Sequence, residues 1–127
     1  MTNPEPQLTI REAAQRTGLS VHTLRYYERI GLLLPVERAA NGHRRYAEID
    51  LRRIEFLNKL RTTGMSIQQM CEFAALSQES DLTVPQRLAM LEAHRNEVLT
   101  YLDELRDNLG AIERKIALYR SIEEKQG

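Results

Sequence analysis

From Leu88 to Tyr119 apolar side chains return at alternating intervals of three and four: Leu88, Leu91, Val98, Leu102, Leu105, Leu109, Ile112, Ile116 and Tyr119, with only Arg95 breaking the run. That period lays one narrow apolar seam along a single helix. Over about 37 residues at 1.5 Å each the helix is roughly 55 Å long, more than a small domain can cover. The exposed seam needs another copy of itself, so the chain is expected to form a homodimer through Leu88, Leu91, Val98, Leu102, Leu105, Leu109, Ile112 and Ile116. Periodicity alone leaves the parallel and antiparallel pairings open. Thr83 with Gln86, around Pro85, is expected to form a capping box that starts this helix.

Charge separates the two ends of the chain. The 127 residues carry 18 Lys and Arg against 18 Asp and Glu, a balance that by itself argues against a polyanionic partner. Residues 1–63 hold 11 basic against 7 acidic side chains, whereas residues 64–127 hold 7 against 11, so a basic front is joined to an acidic back. A single cysteine, Cys71, excludes an internal disulfide or a thiolate metal cluster within one chain and fits a reducing cytoplasm. His22, His43 and His94 are too scattered for a zinc site, and no cofactor is expected. No run of eighteen apolar residues occurs and Met1–Gln7 is polar with two prolines, so a cytoplasmic chain with no membrane partner is expected. No paired carboxylates, phosphate loop or nucleophile and base motif stands out, so no catalytic residue is assigned and the chain is not expected to be an enzyme.

The basic front reads as short capped helices. Residues 1–8 form a flexible tail. Thr9 and Glu12 make a capping box for a first helix with Ile10, Ala13 and Ala14 as its apolar stripe, and Gly18 stops it. Ser20 caps a second helix, Val21 to about Ile30, terminated by Gly31. Two short helices across a tight glycine-containing turn are a helix-turn-helix. At 100° per residue Val21, Leu24 and Tyr27 share one side with the stem of Glu28, while His22, Arg25, Tyr26 and Arg29 take the other. Two arginines and an amphipathic ring suit a major groove and its phosphates; a solvated charged face is the plainer alternative from this helix alone.

Leu32 to Val36 then leads out as an extended segment, Asn41-Gly42 is a hairpin turn, and His43 to Ala47 returns as a second strand. Such a ribbon beside a helix-turn-helix is a wing, with Arg44, Arg45 and Tyr46 available to phosphates. The helix-turn-helix and wing occupy residues 9–47. A supporting helix pair follows over residues 48–80, with Ile49, Leu51, Ile54, Leu57 and Leu60 inward on the third helix. Ser66 caps the fourth, in which Ile67, Met70, Phe73, Ala74 and Leu76 face inward. Residues 83–127 are the dimerisation helix.

The series Leu24-Arg25-Tyr26-Tyr27-Glu28, Gly31-Leu32, Asn41-Gly42-His43-Arg44-Arg45-Tyr46 and the terminal long helix resembles the MerR family of transcriptional regulators over nearly the whole chain. The resemblance implies a mainly α fold: a winged helix-turn-helix head with a two-stranded wing, then an antiparallel coiled coil joining two heads. It implies double-stranded promoter DNA as partner, bound at a pseudo-palindrome between promoter elements that are spaced too far apart. The DNA is then distorted so that RNA polymerase can use it. Ser20 opens the recognition helix; by position the resemblance puts His22, Thr23 and Arg25 at the major groove. It puts Tyr27, His43, Arg44, Tyr46 and Arg61 at phosphates, with His43 standing where many relatives carry tyrosine. The wheel prefers Tyr26 as the exposed ring, and both tyrosines are kept as candidates.

Ile54 to Met70 resembles the aldehyde and electrophile sensing branch, with Lys59 where that branch carries its cysteine. Cys71, twelve residues on, reads as a small packing residue rather than a reactive sensor. Metal and redox branches need several thiolates near the end of the long helix, and Ser121–Gly127 has none. A small effector is expected between helix four and the partner's long helix. Two rival readings stand beside a sensor: an effector-free repressor or architectural factor, and a coiled-coil interaction protein whose basic front binds an acidic partner. The second gives no reason for a wing.

Overall fold

A computed structural model describes residues 7–33 and 46–127. Its elements are α1 (Ile10–Thr17), α2 (Val21–Arg29), α3 (Glu48–Thr62), α4 (Ile67–Ser77), a 3-10 turn (Asp81–Thr83) and α5 (Val84–Gln126). The chain divides into two compact units, Met1–Leu88 and Ala89–Gly127. No described helix is long and apolar enough to cross a membrane.

In the first unit the helix starts are set by short polar side chains. Thr9 Oγ1 accepts from the Glu12 N–H at 3.2 Å while the Glu12 carboxylate accepts from the Thr9 N–H at 3.1 Å, the reciprocal box expected from sequence. Ser20 Oγ accepts from the Thr23 N–H at 3.0 Å and Ser66 Oγ from the Gln69 N–H at 3.1 Å. Ala47 cannot cap α3 with its own side chain. The Asp50 carboxylate instead accepts from the Ala47 N–H at 2.9 Å, which makes half a box.

Two helix ends share one device. After α2 the Leu32 N–H donates to the Tyr27 carbonyl at 2.9 Å and the Gly31 N–H to that of Glu28 at 3.2 Å. After α3 the Met65 N–H donates to the Leu60 carbonyl at 2.9 Å and the Gly64 N–H to that of Arg61 at 3.1 Å. Both are Schellman motifs, which need the left-handed backbone found here at Gly31 (φ 81°) and Gly64 (φ 100°). In each, the apolar residue after the glycine is buried together with its partner three residues inside the helix, Leu32 with Tyr27 and Met65 with Leu60. Each reversal thus closes carbonyls and adds to the core. That core gathers Ala13, Leu24, Tyr27, Leu32, Tyr46, Leu51, Ile54, Leu57, Leu60 and Met70 where α1, α2, α3 and α4 pack. Arg16 and Glu48 pair at 2.9 Å between α1 and α3, half-exposed and so of small energetic weight.

Several expectations are corrected. Leu8, assigned to the tail, pairs in antiparallel fashion with Tyr46 through two N–H···O bonds of 2.7 Å, because an extended backbone beside the buried tyrosine satisfies both. Ile49 and Ile67 are exposed, since each lies in the first turn of its helix. Thr83 makes no box with Gln86: its hydroxyl donates to the Leu76 carbonyl at 2.7 Å and accepts from Arg87 Nε at 3.1 Å, which ties the end of α4 to the start of α5. Of the expected wing, the Asn41-Gly42 turn and His43, Arg44 and Arg45 lie outside the described residues.

The second unit is the body of α5, which in full is 43 residues and so about 65 Å long. Its seam faces solvent, from 39% exposed at Leu102 to 61% at Tyr119, with Leu105, Leu109, Ile112 and Ile116 between; only Leu91 and Val98 are half-buried.

Leu24→Ala should lower folding stability by about 2–5 kcal/mol, since it leaves a cavity in the packed centre of the head. Leu82→Ala, at an exposed side chain, should change it by less than about 0.5 kcal/mol. Urea unfolding of both variants checks this; similar midpoint shifts would contradict the core placement.

Candidate nucleic-acid interface

The sequence of α2 divides its side chains cleanly. Leu24 and Tyr27 are buried in the core, and Val21 and Glu28 are half-buried beside them. His22, Arg25, Tyr26 and Arg29 are exposed. Tyr26 and Tyr27 are sequence neighbours with opposite fates, 40% and 2% exposed, their ring centroids 6.1 Å apart. The outward face is organised, since the Arg29 guanidinium lies over the Tyr26 ring at 5.9 Å from its centroid, a cation–π arrangement. Arg29 shares the wheel's polar face with Arg25, but no motif marks it; its stacking on Tyr26 follows from their i, i+3 spacing.

At the start of α2 the Ser20 hydroxyl donates to Thr23 Oγ1 at 2.9 Å, so both hydroxyls are engaged in the cap that sets the helix entry. The N-terminal turn therefore presents His22 and then Arg25 outward from a fixed start. Arg61, near the end of α3, is exposed and donates to Asn58 Oδ1 at 3.1 Å. Tyr27 and Tyr46, given phosphate roles by resemblance, are both buried, their hydroxyl oxygens enclosed. Tyr27 Oη has no hydrogen-bond partner among the described residues. Burial makes the two rings part of the packing behind α2 and beside the Leu8 bridge. Lys59 is exposed on α3, and Cys71 is half-buried with Sγ 3.9 Å from the Ile30 carbonyl.

A second feature of the head has no signature in the sequence: an open cleft of about 510 Å³ between α3 and α4, walled by Leu32, Leu33, Ile54, Phe56, Phe73 and Ala74. Phe56 and Phe73 meet across it with centroids 6.0 Å apart. It forms where two helices diverge, which residue spacing within either helix does not reveal.

A capped helix-turn-helix with a cationic, aromatic outer face, followed by a long helix with an uncovered heptad seam, defines a helix-turn-helix regulatory protein. Residues 8–75, from the Leu8 bridge to the last turn of α4, match the family model described as the MerR HTH family regulatory protein, and the chain belongs to that family of transcriptional regulators. It is 36% identical over 112 residues to an uncharacterized HTH-type transcriptional regulator of Haemophilus influenzae, covering 88% of this chain and 83% of the relative. It is 40% identical over 92 residues to the HTH-type transcriptional regulator AdhR of Bacillus subtilis, covering 72% and 66%. Among solved structures it resembles HiNmlR, a MerR family regulator lacking the sensor domain and bound to promoter DNA. There the TM-score is 0.84 with 34% identity, covering 91% of this chain and 92% of that one. A MerR family regulator from Listeria monocytogenes gives a TM-score of 0.83 with 37% identity, covering 88% and 85%.

Because the Tyr27 hydroxyl is buried and unpartnered, Tyr27→Phe should be neutral or slightly stabilising to folding and leave DNA affinity unchanged. Tyr26→Ala should weaken DNA binding without destabilising the head. Thermal melts and gel-shift titrations check both; a loss of affinity in Tyr27→Phe would restore Tyr27 to the DNA surface.

Proposed function

We propose that this protein binds a pseudo-palindromic promoter site as an antiparallel homodimer, and controls transcription by distorting the DNA between its two heads for RNA polymerase. The observation that carries the reading is the outward face of α2 in a chain whose α5 seam lies uncovered. The promoter-bound state of HiNmlR supports it. His22, Thr23 and Arg25 enter the major groove, with Arg25 forking onto a base edge. Tyr26, Arg29 and Arg61 meet phosphates, joined by His43, Arg44 and Arg45 from the wing, while Tyr27 and Tyr46 hold this surface from behind. Leu88, Leu91, Val98, Leu102, Leu105, Leu109, Ile112 and Ile116 form the dimer seam.

A stiff coiled coil fixes the separation of the heads, so two recognition helices reach their half-sites only if the duplex between them adapts. Bending such a site takes on the order of 1–6 kcal/mol, an amount that contacts from two heads can offset. A signal molecule then acts by preferring the distorting conformation, since only differential affinity shifts a two-state equilibrium.

Arg25→Ala should cost about 1–3 kcal/mol at the operator and relax sequence preference. Arg44→Ala should weaken operator and random DNA alike and flatten the salt dependence. Gel-shift titrations at two salt concentrations separate the roles; an equal loss on both DNAs for Arg25→Ala would reassign it to the backbone. For distortion, chemical footprinting should reveal altered reactivity at the operator centre, and shortening the promoter spacer by one or two base pairs should remove dependence on the protein. Undistorted reactivity under inducing conditions, or unchanged dependence, would leave occlusion by an effector-free repressor as the mechanism.

A further inference from the structure

The connection from α4 to α5 has one inward-facing group. Residues 78–82 are all exposed, whereas Thr83, which follows them, is 5% exposed. The backbone of this stretch closes on near neighbours, with the Glu79 N–H donating to the Leu76 carbonyl at 3.2 Å and the Thr83 N–H to that of Ser80 at 3.1 Å. The Thr83 hydroxyl reaches both helices. It donates to the Leu76 carbonyl in the last turn of α4 at 2.7 Å, with the Ser80 carbonyl further off at 3.2 Å. It accepts from Arg87 Nε in the first turn of α5 at 3.1 Å. A hydroxyl carries one donor and two acceptor lone pairs, so it can serve a carbonyl and a cation at once, where a valine of the same shape could serve neither.

Charge strengthens the arrangement. The last carbonyls of a helix carry partial negative charge, and Arg87 sets a permanent cation one hydroxyl away from those of α4. Arg87 is half-buried and has no carboxylate within ion-pairing distance among the described residues, so the Thr83 hydroxyl is what holds its guanidinium. Leu76, Thr83 and Arg87 all belong to the first compact unit, and α5 runs on from Val84 to Gln126 without a break. The direction of its first turn relative to α4 is therefore held by a relay of three polar groups across an exposed connection. Hydrogen bonds weaken steeply as their geometry departs from linear, so such a relay resists a swing of that turn.

We propose that Thr83, acting through the Leu76 carbonyl and Arg87, is the positioning residue that locks α5 to its own head, and that this lock obliges the dimer to distort the DNA it binds. The inference rests on the distortion reading proposed above, and deepens it by naming the group on which that reading depends. A stiff seam passes a fixed separation to two heads only if each head is fixed to its helix. With the lock released, each head turns about the connection between α4 and α5. Two recognition helices then reach half-sites of differing separation, and the duplex between them stays relaxed. Operator affinity survives this release, because the deformation energy of the DNA is no longer drawn from the contacts.

The test compares the full-length protein with Thr83→Val and Thr83→Ser on three duplexes: the operator, and the operator with one base pair added to or removed from its centre. Gel-shift titration reads affinity and chemical footprinting reads the centre. The unaltered protein and Thr83→Ser, which keeps the hydroxyl, should prefer one half-site separation several-fold and alter the reactivity of the centre. Thr83→Val should remain dimeric in sedimentation, bind the operator no more weakly than the unaltered protein, bind all three duplexes alike, and leave the centre as reactive as free DNA. If Thr83→Val instead binds all three more weakly while keeping the preference and the altered centre, Thr83 serves stability alone and the proposal is overturned. Loss of the preference in Thr83→Ser would overturn it too, since the hydroxyl would not be the group that matters. Should Thr83→Val prove unfolded in urea titration, Arg87→Met carries the same expectation and the same contrary result, because it removes the Nε donor and keeps the apolar stem. An unaltered protein with no preference and an undisturbed centre would remove the distortion reading and the lock together, whereas a preference shared by the unaltered protein and Thr83→Val would remove the lock alone.

Discussion

An apolar stripe that runs along α5 without a partner is the constraint to which the other features answer. Each seam leucine or isoleucine taken out of water is worth about 1.5–3 kcal/mol, and Leu102, Leu105, Leu109, Ile112 and Ile116 are all exposed in the single chain. A monomer with that surface would present a long adhesive edge. In the proposed homodimer, pairing the seam removes that edge and at the same time sets the separation of two heads, so that dimer stability and the geometry of DNA recognition would rest on the same side chains.

The head is built to hand α2 to that frame without slack. Ser20 and Thr23 fix where the helix begins, and the Gly31 reversal fixes where it ends. The burial of Leu24 and Tyr27 sets its rotation, so that His22, Arg25, Tyr26 and Arg29 must face outward. Tyr27 contributes its ring to this registration, and its enclosed hydroxyl is a cost borne there. The Leu8–Tyr46 bridge ties the entry of the head to the residue before the N-cap of α3. Arg25 and Arg29 are thereby exposed on a helix whose backbone is held at both ends.

Local signals made much of this readable from the residues. Capping boxes, glycine stops and the three-four seam each act within one turn or one helix face, and Thr9, Ser20, Ser66, Gly18 and Gly31 act as read. The wheel put Tyr26 outward and Tyr27 inward, and their exposures divide the same way. The misses turn on partners and positions that spacing does not encode. Thr83 is bound by the Leu76 carbonyl and Arg87 rather than by Gln86, and Leu8 leaves the tail because Tyr46 is there to pair with it. Ile49 and Ile67 have the right spacing for a core, but first-turn positions put them outside it. The cleft between α3 and α4 depends on how two helices diverge, which no spacing within either records.

Sedimentation equilibrium on the unaltered protein and on Leu102→Asp/Leu105→Asp tests the central claim most directly, because it asks whether the seam is what joins two chains. Two unpaired carboxylates per chain in a buried seam are too costly to retain. The unaltered protein should sediment at twice the chain mass and the double variant at the chain mass or as unfolded chain. A variant that remains a stable, folded dimer would contradict the account, and the exposed stripe on α5 would need another occupant.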